Sequence, residues 1–206
     1  MNRFCFRPRC IMPSTAAFAF LLIAFLGCQS QEKQQAEVQP PATATPQALP
    51  TGEVTYTVPS GWIAQQPSSQ MRKAEFRWPG VDGTEDAELA VFFFPGMGGS
   101  VQANLERWYN QFKQPDGSPS HDRAHTQKIN VNDIPVTVTH VTGTYLKPQS
   151  PGMMSGPVDE KPDYAMLAAI VETAGGPWFF KATGPEATIT HWRPSFDEFV
   201  KSLRVQ

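Results

Sequence analysis

Two short runs restrict this chain more than anything else in it. Read as strands, Leu89–Phe94 and Tyr164–Val171 place apolar side chains on both faces. Successive side chains of a strand point to opposite faces. A strand apolar on both must therefore be covered on both. The fold needs a sheet with a layer on each side, and these two runs belong near its centre.

The remaining periodicity fills in that plan. Met71–Trp78 alternates, with Ala74, Phe76 and Trp78 on one side and Lys73, Glu75 and Arg77 on the other. It reads as a half-buried strand, paired antiparallel with the Leu89 run across the turn cluster Pro79–Gly83. Val54–Val58 is a short β-rich run closed by Pro59-Ser60-Gly61. Thr126–Val131 turns at Asn132-Asp133 into Ile134–Tyr145, where Val136, Val138 and His140 share a face opposite Thr137, Thr139 and Val141. Leu146–Asp163, rich in Pro, Gly and Met, reads as a loop, and Ala174–Pro177 as a turn into Trp178–Thr183.

Two segments have helical spacing. Ser100 suits an N-cap, and Val101, Leu105, Trp108 and Phe112 form one stripe ending before Pro115. Ile189, Trp192, Phe196, Phe199, Val200 and Leu203 form a second, which Pro194 is expected to kink or restart. The expected class is α+β: a mostly antiparallel sheet of about six strands sandwiched by helices, in an α/β/α arrangement.

The N-terminal portion has a different character. Arg3, Arg7 and Arg9 precede an apolar run, Ala16–Gly27, that ends in Leu26-Gly27-Cys28. The run has the length of a signal-peptide core and falls short of the roughly 20 residues of a membrane span. It resembles a bacterial lipoprotein signal peptide, with Phe25 where Leu is usual. The resemblance implies cleavage before Cys28, so that residues 1–27 are removed and Cys28 carries acyl chains such as palmitate. An uncleaved anchor and a plain secretory signal are the other readings. Two or more acyl chains anchor a protein stably. Gln29, where Asp would signal inner-membrane retention, favours an outer membrane facing the periplasm in a Gram-negative cell. Residues 28–51, rich in Gln, Ala, Thr and Pro, read as the lipidated cysteine and a disordered tether. Residues 52–206 form one globular domain holding all five tryptophans.

Charge and cysteine content narrow the chemistry. Cys5, Cys10 and Cys28 are the three cysteines, so residues 52–206 contain neither a disulfide nor a thiolate site. Loss of residues 1–27 would take the net charge from −2 to about −5. A mildly acidic domain without a basic stripe argues against nucleic acid and against adhesion to anionic lipid.

Pro59-Ser60-Gly61-Trp62, the two-strand hairpin, one amphipathic helix, and the closing Gly184-Pro185 and Phe196–Leu203 together resemble the PsbP-like fold over about residues 53–204. That family includes the extrinsic lumenal protein of photosystem II, a Ran-binding import factor and bacterial envelope lipoproteins. The resemblance implies an α/β/α sandwich acting as a binding or assembly module, and it transfers no functional residue.

Several side chains invite chemistry. His121-Asp122-Arg123-Ala124-His125 has the outline of a zinc-protease helix with Asp in place of Glu. Such a site needs both histidines one helical turn apart and a third ligand; a solvated loop is the alternative. Gly96–Ser100 leads into a helix N-terminus that suits an anion, or simply turns tightly. Ser155 lies in Gly152–Gly156, which lacks the nucleophile-elbow pattern. His140 reads as packing. Lys181 shares a face with Phe179, and its stem is expected to snorkel. Met153 and Met154 read as loop filler or adaptable contacts. Arg107, Trp108 and Gln111 are the candidate partner surface. The expected function is a lipid-anchored, non-enzymatic envelope module that binds a protein partner and needs no cofactor. The competing readings are a metal-dependent hydrolase using His121 and His125, and a small-ligand carrier.

Overall fold

The computed structural model describes residues 49–149 and 156–206. Cys28, Gln29, the tether as far as Ala48, and Met153, Met154 and Ser155 lie outside the described residues.

The order of elements is β1 (Val54–Thr55), β2 (Ile63–Gln65), β3 (Arg72–Trp78), β4 (Ala87–Phe93), α1 (Val101–Tyr109), β5 (Phe112–Lys113), β6 (His125–Val131), β7 (Ile134–Pro148), β8 (Val158–Val171), β9 (Trp178–Pro185), α2 (Glu186–Lys201) and β10 (Arg204–Val205). Eight strands form one sheet in the order β2-β3-β4-β9-β8-β7-β5, with β6 beside β5 on the outer edge of β7. All its pairings are antiparallel. A separate ribbon pairs β1 with β10. The chain is thus an α+β sandwich, α1 on one face and α2 on the other.

The two faces follow from strand alternation. Ala165, Leu167, Ala169 and Val171 of β8 pack with α2, whereas Met166, Ala168 and Ile170 pack with α1. On β9, Phe180 and Ala182 face α2 and Phe179 faces α1. The α2 layer supplies Ile189, Phe196, Phe199 and Leu203, all at 0% exposure. Each such side chain stabilises the fold by about 1.5–3 kcal/mol. The α1 layer is smaller: Leu105, Trp108 and Tyr109. The Tyr109 hydroxyl is within hydrogen-bonding distance of Thr139 (2.7 Å) and Thr126 (2.6 Å), so the buried threonine face of β7 keeps its polar partners.

Local chemistry accounts for the joints. Ser100 caps α1 by accepting the Ala103 N–H at 3.1 Å. Asn132 and Asp133 take φ of 50° and 64°, the left-handed pair a two-residue hairpin requires. Glu186 and Lys201 sit at the two ends of α2 with the charges its dipole favours.

Four expectations are corrected. About six strands were expected, but eight form the main sheet, because β2 and β5 are too short to carry a period. Leu146–Asp163 is not all loop: β7 continues to Pro148 and β8 begins at Val158. That arm extends past the end of β9, so most of its β8 side chains are solvated and show no apolar alternation. Pro162 sits where the register shifts by one residue, a position that needs no ladder N–H. Phe112 belongs to β5 and not to α1, although it packs in the same cluster. Pro194 does not break α2. The bond it forfeits, to Thr190, lies on the exposed side of the helix, open to solvent.

Phe199 touches the rings of Tyr56, Trp62, Phe180 and Phe196, and so joins β1–β2 surroundings, the sheet and α2. Phe199→Ala should therefore cost about 3–5 kcal/mol, measured as a lower urea midpoint with an unchanged slope.

Candidate functional site

The two helices cover unequal areas. At 1.5 Å per residue, the nine residues of α1 span about 13 Å, whereas a sheet seven strands across at about 4.8 Å spacing is roughly 29 Å wide, β5 and β6 sharing one edge of β7. The α1 face is left open over β3, β4 and the end of β9. Polar side chains face this opening beside Ala90 and Phe92 of β4: Arg72 and Glu75 on β3, Glu88 on β4, and Lys181 and Thr183 on β9. A bulge between Arg72 and Ala74 turns Arg72 onto this face, opposite Phe92.

Here lies a groove with a cavity of about 170 Å³. Lys181 and Thr183 form its floor, with Glu88, Ala90 and Phe92 beside them. Tyr145, Tyr164 and Lys147, from the long β7–β8 arm, form the opposite wall. The two tyrosine rings stack at 6.1 Å. The Tyr164 hydroxyl donates to Glu85 at 2.6 Å, and burial together with that carboxylate pushes the phenol well above its ordinary range.

The charges are ordered by contact. Arg72 bridges Glu75 at 2.9 Å and Glu88 at 2.6 Å, with its guanidinium 5.8 Å from the Phe92 ring. Burial raises the Glu75 carboxyl, but the Ser68 N–H and the Arg72 guanidinium outweigh it and hold the group below its usual value. Lys181 Nζ donates to Gln111 Oε1 and lies 5.9 Å from the ring centres of both Trp108 and Tyr145. Burial lowers its pKa from 10.5 to about 7, with Arg107 and Arg72 adding to the effect and Glu88 opposing it.

The residues singled out in the sequence are distributed as follows. Trp108 is buried, its edge against Phe179, and Gln111 reaches inward to Lys181. Arg107 is exposed and donates to Asn104 Oδ1 at 2.7 Å. The three do not form one open face, and Trp108 and Gln111 are instead the support of Lys181. His121 lies in a single 3-10 turn, Ser120–Asp122, with Nε2 3.1 Å from Asp122 Oδ1, and His125 opens β6. The two histidines therefore do not share a helix, and Asp122 is held by the first. Instead, His125 stands opposite His140 across β6 and β7, beside Arg193, at a cavity of about 240 Å³. Burial lowers the His140 pKa, with Arg193 and His125 adding to it. Among the described residues no cluster of three or more His, Cys, Asp or Glu is placed to hold a metal ion. The Gly96–Ser100 turn is occupied by its own structure: Ser100 caps the helix, and Asn104 Nδ2 donates to the carbonyls of Gly98 and Ser100.

Arg72, Glu88, Tyr145 and Tyr164 were not singled out in the sequence. The available signal was the charged face of β3 and, on β4, Glu88 on a face otherwise formed by Ala90 and Phe92.

No family model matches this chain, and no curated protein matches it. Solved structures similar in architecture include these two. One is the Pseudomonas aeruginosa protein PA94, of unknown function, at 10% identity and a TM-score of 0.45, covering 70% of this chain and 97% of that one. The other is CyanoP, the PsbP of the cyanobacterium Synechocystis sp. PCC 6803, at 12% identity and a TM-score of 0.42, covering 80% of this chain and 99% of that one. Both likenesses concern architecture alone. No helix among the described residues is long and apolar enough to cross a membrane.

The depressed Lys181 pKa has a stability consequence with a definite sign. Between pH 7 and 10.5 the unfolded chain binds a proton that the folded chain has lost, so stability rises with pH across that window. Lys181→Met removes this dependence. Relative to the variant, the natural protein should gain in urea midpoint from pH 6 to pH 9.5; a constant difference would contradict the assignment.

Proposed function

We propose that this chain is a cell-envelope lipoprotein, held to a membrane by acyl chains on Cys28, whose domain acts as a non-enzymatic binding module for a protein partner. The observation that carries this reading is the groove on the α1 face. Its side chains are already fixed by ion pairs, ring stacking and the Lys181–Gln111 hydrogen bond, so little ordering entropy remains to be lost when a partner arrives. It is also open along one side, as a surface that receives a segment of another chain must be. The anchor rests on the signal-peptide resemblance at Leu26-Gly27-Cys28. Residues 28–51 would give the domain about 25 Å of reach if they behave as a flexible coil.

Two measurements test the two halves. Growth with labelled palmitate should label the full-length protein, and Cys28→Ser should abolish both the label and membrane fractionation. A photo-cross-linking residue at Thr183, inside the groove, should give one discrete protein adduct in membranes of the source cell. The same residue at the exposed Asn130 on β6 should not. Identical adduct patterns from the two positions, or no adduct from Thr183, would remove the groove as the binding surface.

A further inference from the structure

The charges around the groove are unbalanced. Arg72, Lys147 and Lys181 line it against one carboxylate, Glu88. Arg72 is already shared by Glu75 and Glu88. Lys181 differs: among the described residues no carboxylate lies within ion-pair distance of its ammonium. An ammonium has three N–H donors, and Gln111 takes one of them. Trp108 and Tyr145 offer ring faces but no acceptor of comparable strength. The group is drawn from water, supported on one side and short of an anion on the other.

We propose that the groove seats a carboxylate side chain from an acidic segment of a protein partner, with Lys181 as its principal contact and Lys147 and Arg72 at the margins. This rests on the binding reading above and gives it a chemistry. Size supports the choice of occupant. The cavity of about 170 Å³ holds the equivalent of five or six waters at roughly 30 Å³ each. That accommodates a glutamate side chain. The stacked Tyr145–Tyr164 wall gives the methylenes of such a side chain an apolar surface.

The site is sensitive to pH in a definite direction. The charged and titratable groups facing Lys181 are Arg107 from α1, Arg72 from β3, Glu88 from β4, Tyr145 and Lys147 from β7, and Tyr164 from β8. Burial pushes both tyrosines up, so they stay neutral across the working range. Free Lys181 loses its proton at about 7. A bound carboxylate favours the ammonium, so binding takes up a proton. Affinity is highest between the carboxylate's own pKa, about 4.3, and pH 7. Above pH 7 it falls by up to about tenfold per unit until the pKa of the occupied state is reached.

Calorimetric titration of the full-length lipoprotein in detergent tests this, with Ac-Glu-Glu-Glu-NH2 as the probe and Ac-Gln-Gln-Gln-NH2 as the neutral control. The acidic peptide should bind at pH 6.0 at least tenfold more tightly than at pH 8.5, with net proton uptake at pH 8.5. Lys181→Met should weaken binding at pH 6.0 by about tenfold or more. Lys181→Arg, which keeps its charge at both pH values, should bind with little difference between them. The proposal is overturned by equal binding of the two peptides, by equal affinity of the natural protein at the two pH values, or by undiminished affinity in Lys181→Met. It is equally overturned if acetate matches the acidic peptide, since the site would then serve a free anion. A discrete adduct from Thr183 alongside any of these results would leave the binding module standing and remove only its acidic occupant.

Discussion

Burial of β8 on both sides is the constraint from which the rest of this molecule follows. Seven consecutive residues, Ala165–Val171, are all buried, and their side chains point alternately into two different cores. Each core needs a lid. The chain supplies one of sixteen residues, α2, and one of nine, α1. The longer lid closes its face with phenylalanines and aliphatic side chains. The shorter closes only the part of its face above β7, β8 and the start of β9. Unequal lids on a two-sided sheet create an open face, and an open face next to a core is where a binding groove can form.

Such a face cannot remain apolar without inviting aggregation, and it cannot carry isolated charges at half-buried positions without a desolvation cost. The chain meets both limits with paired charges. Arg72 is brought to the right face by a bulge and then held by Glu75 and Glu88. Glu75 is further fixed by the Ser68 N–H. The long β7–β8 arm closes the remaining side through Tyr145 and Tyr164, and it is tied back by Glu85 bonding Tyr164 and Lys161. The groove is thus built from the same sheet as the core.

The parts of this architecture that were legible in the sequence are those with a strong period. Both two-sided runs, the half-buried β3, the Asn132-Asp133 turn and the Ser100 cap could be read directly, because burial or turn geometry selects a narrow set of residues at each. The arm could not. A strand solvated on both faces is under no pressure to alternate, so Val158–Asp163 looks like a loop until its ladder with β7 is seen. The two- and three-residue edge strands are likewise set by tertiary pairing, not by propensity. The groove was half legible. Trp108, Gln111 and Lys181 each drew notice, but their convergence depends on β9 lying under the end of α1, which no local pattern encodes. The reach of Gln111 to Lys181 spans 70 residues of chain.

Lys181 is the residue that packing alone explains least. Its neighbours along β9 on the same face, Phe179 and Thr183, show that an apolar or small side chain fits the strand at this depth. A methionine there would bury its length against Trp108 with no ammonium to desolvate, and replacing buried charge by apolar bulk is often neutral or stabilising. The lysine instead holds a pKa near 7 amid Arg107 and Arg72, an arrangement that lowers stability below that pH. A chain that had only to close its α1 face would have no use for such a group. One that must present a desolvated cation to an incoming anion would, because a charge already stripped of water and held by Gln111 loses little more on binding.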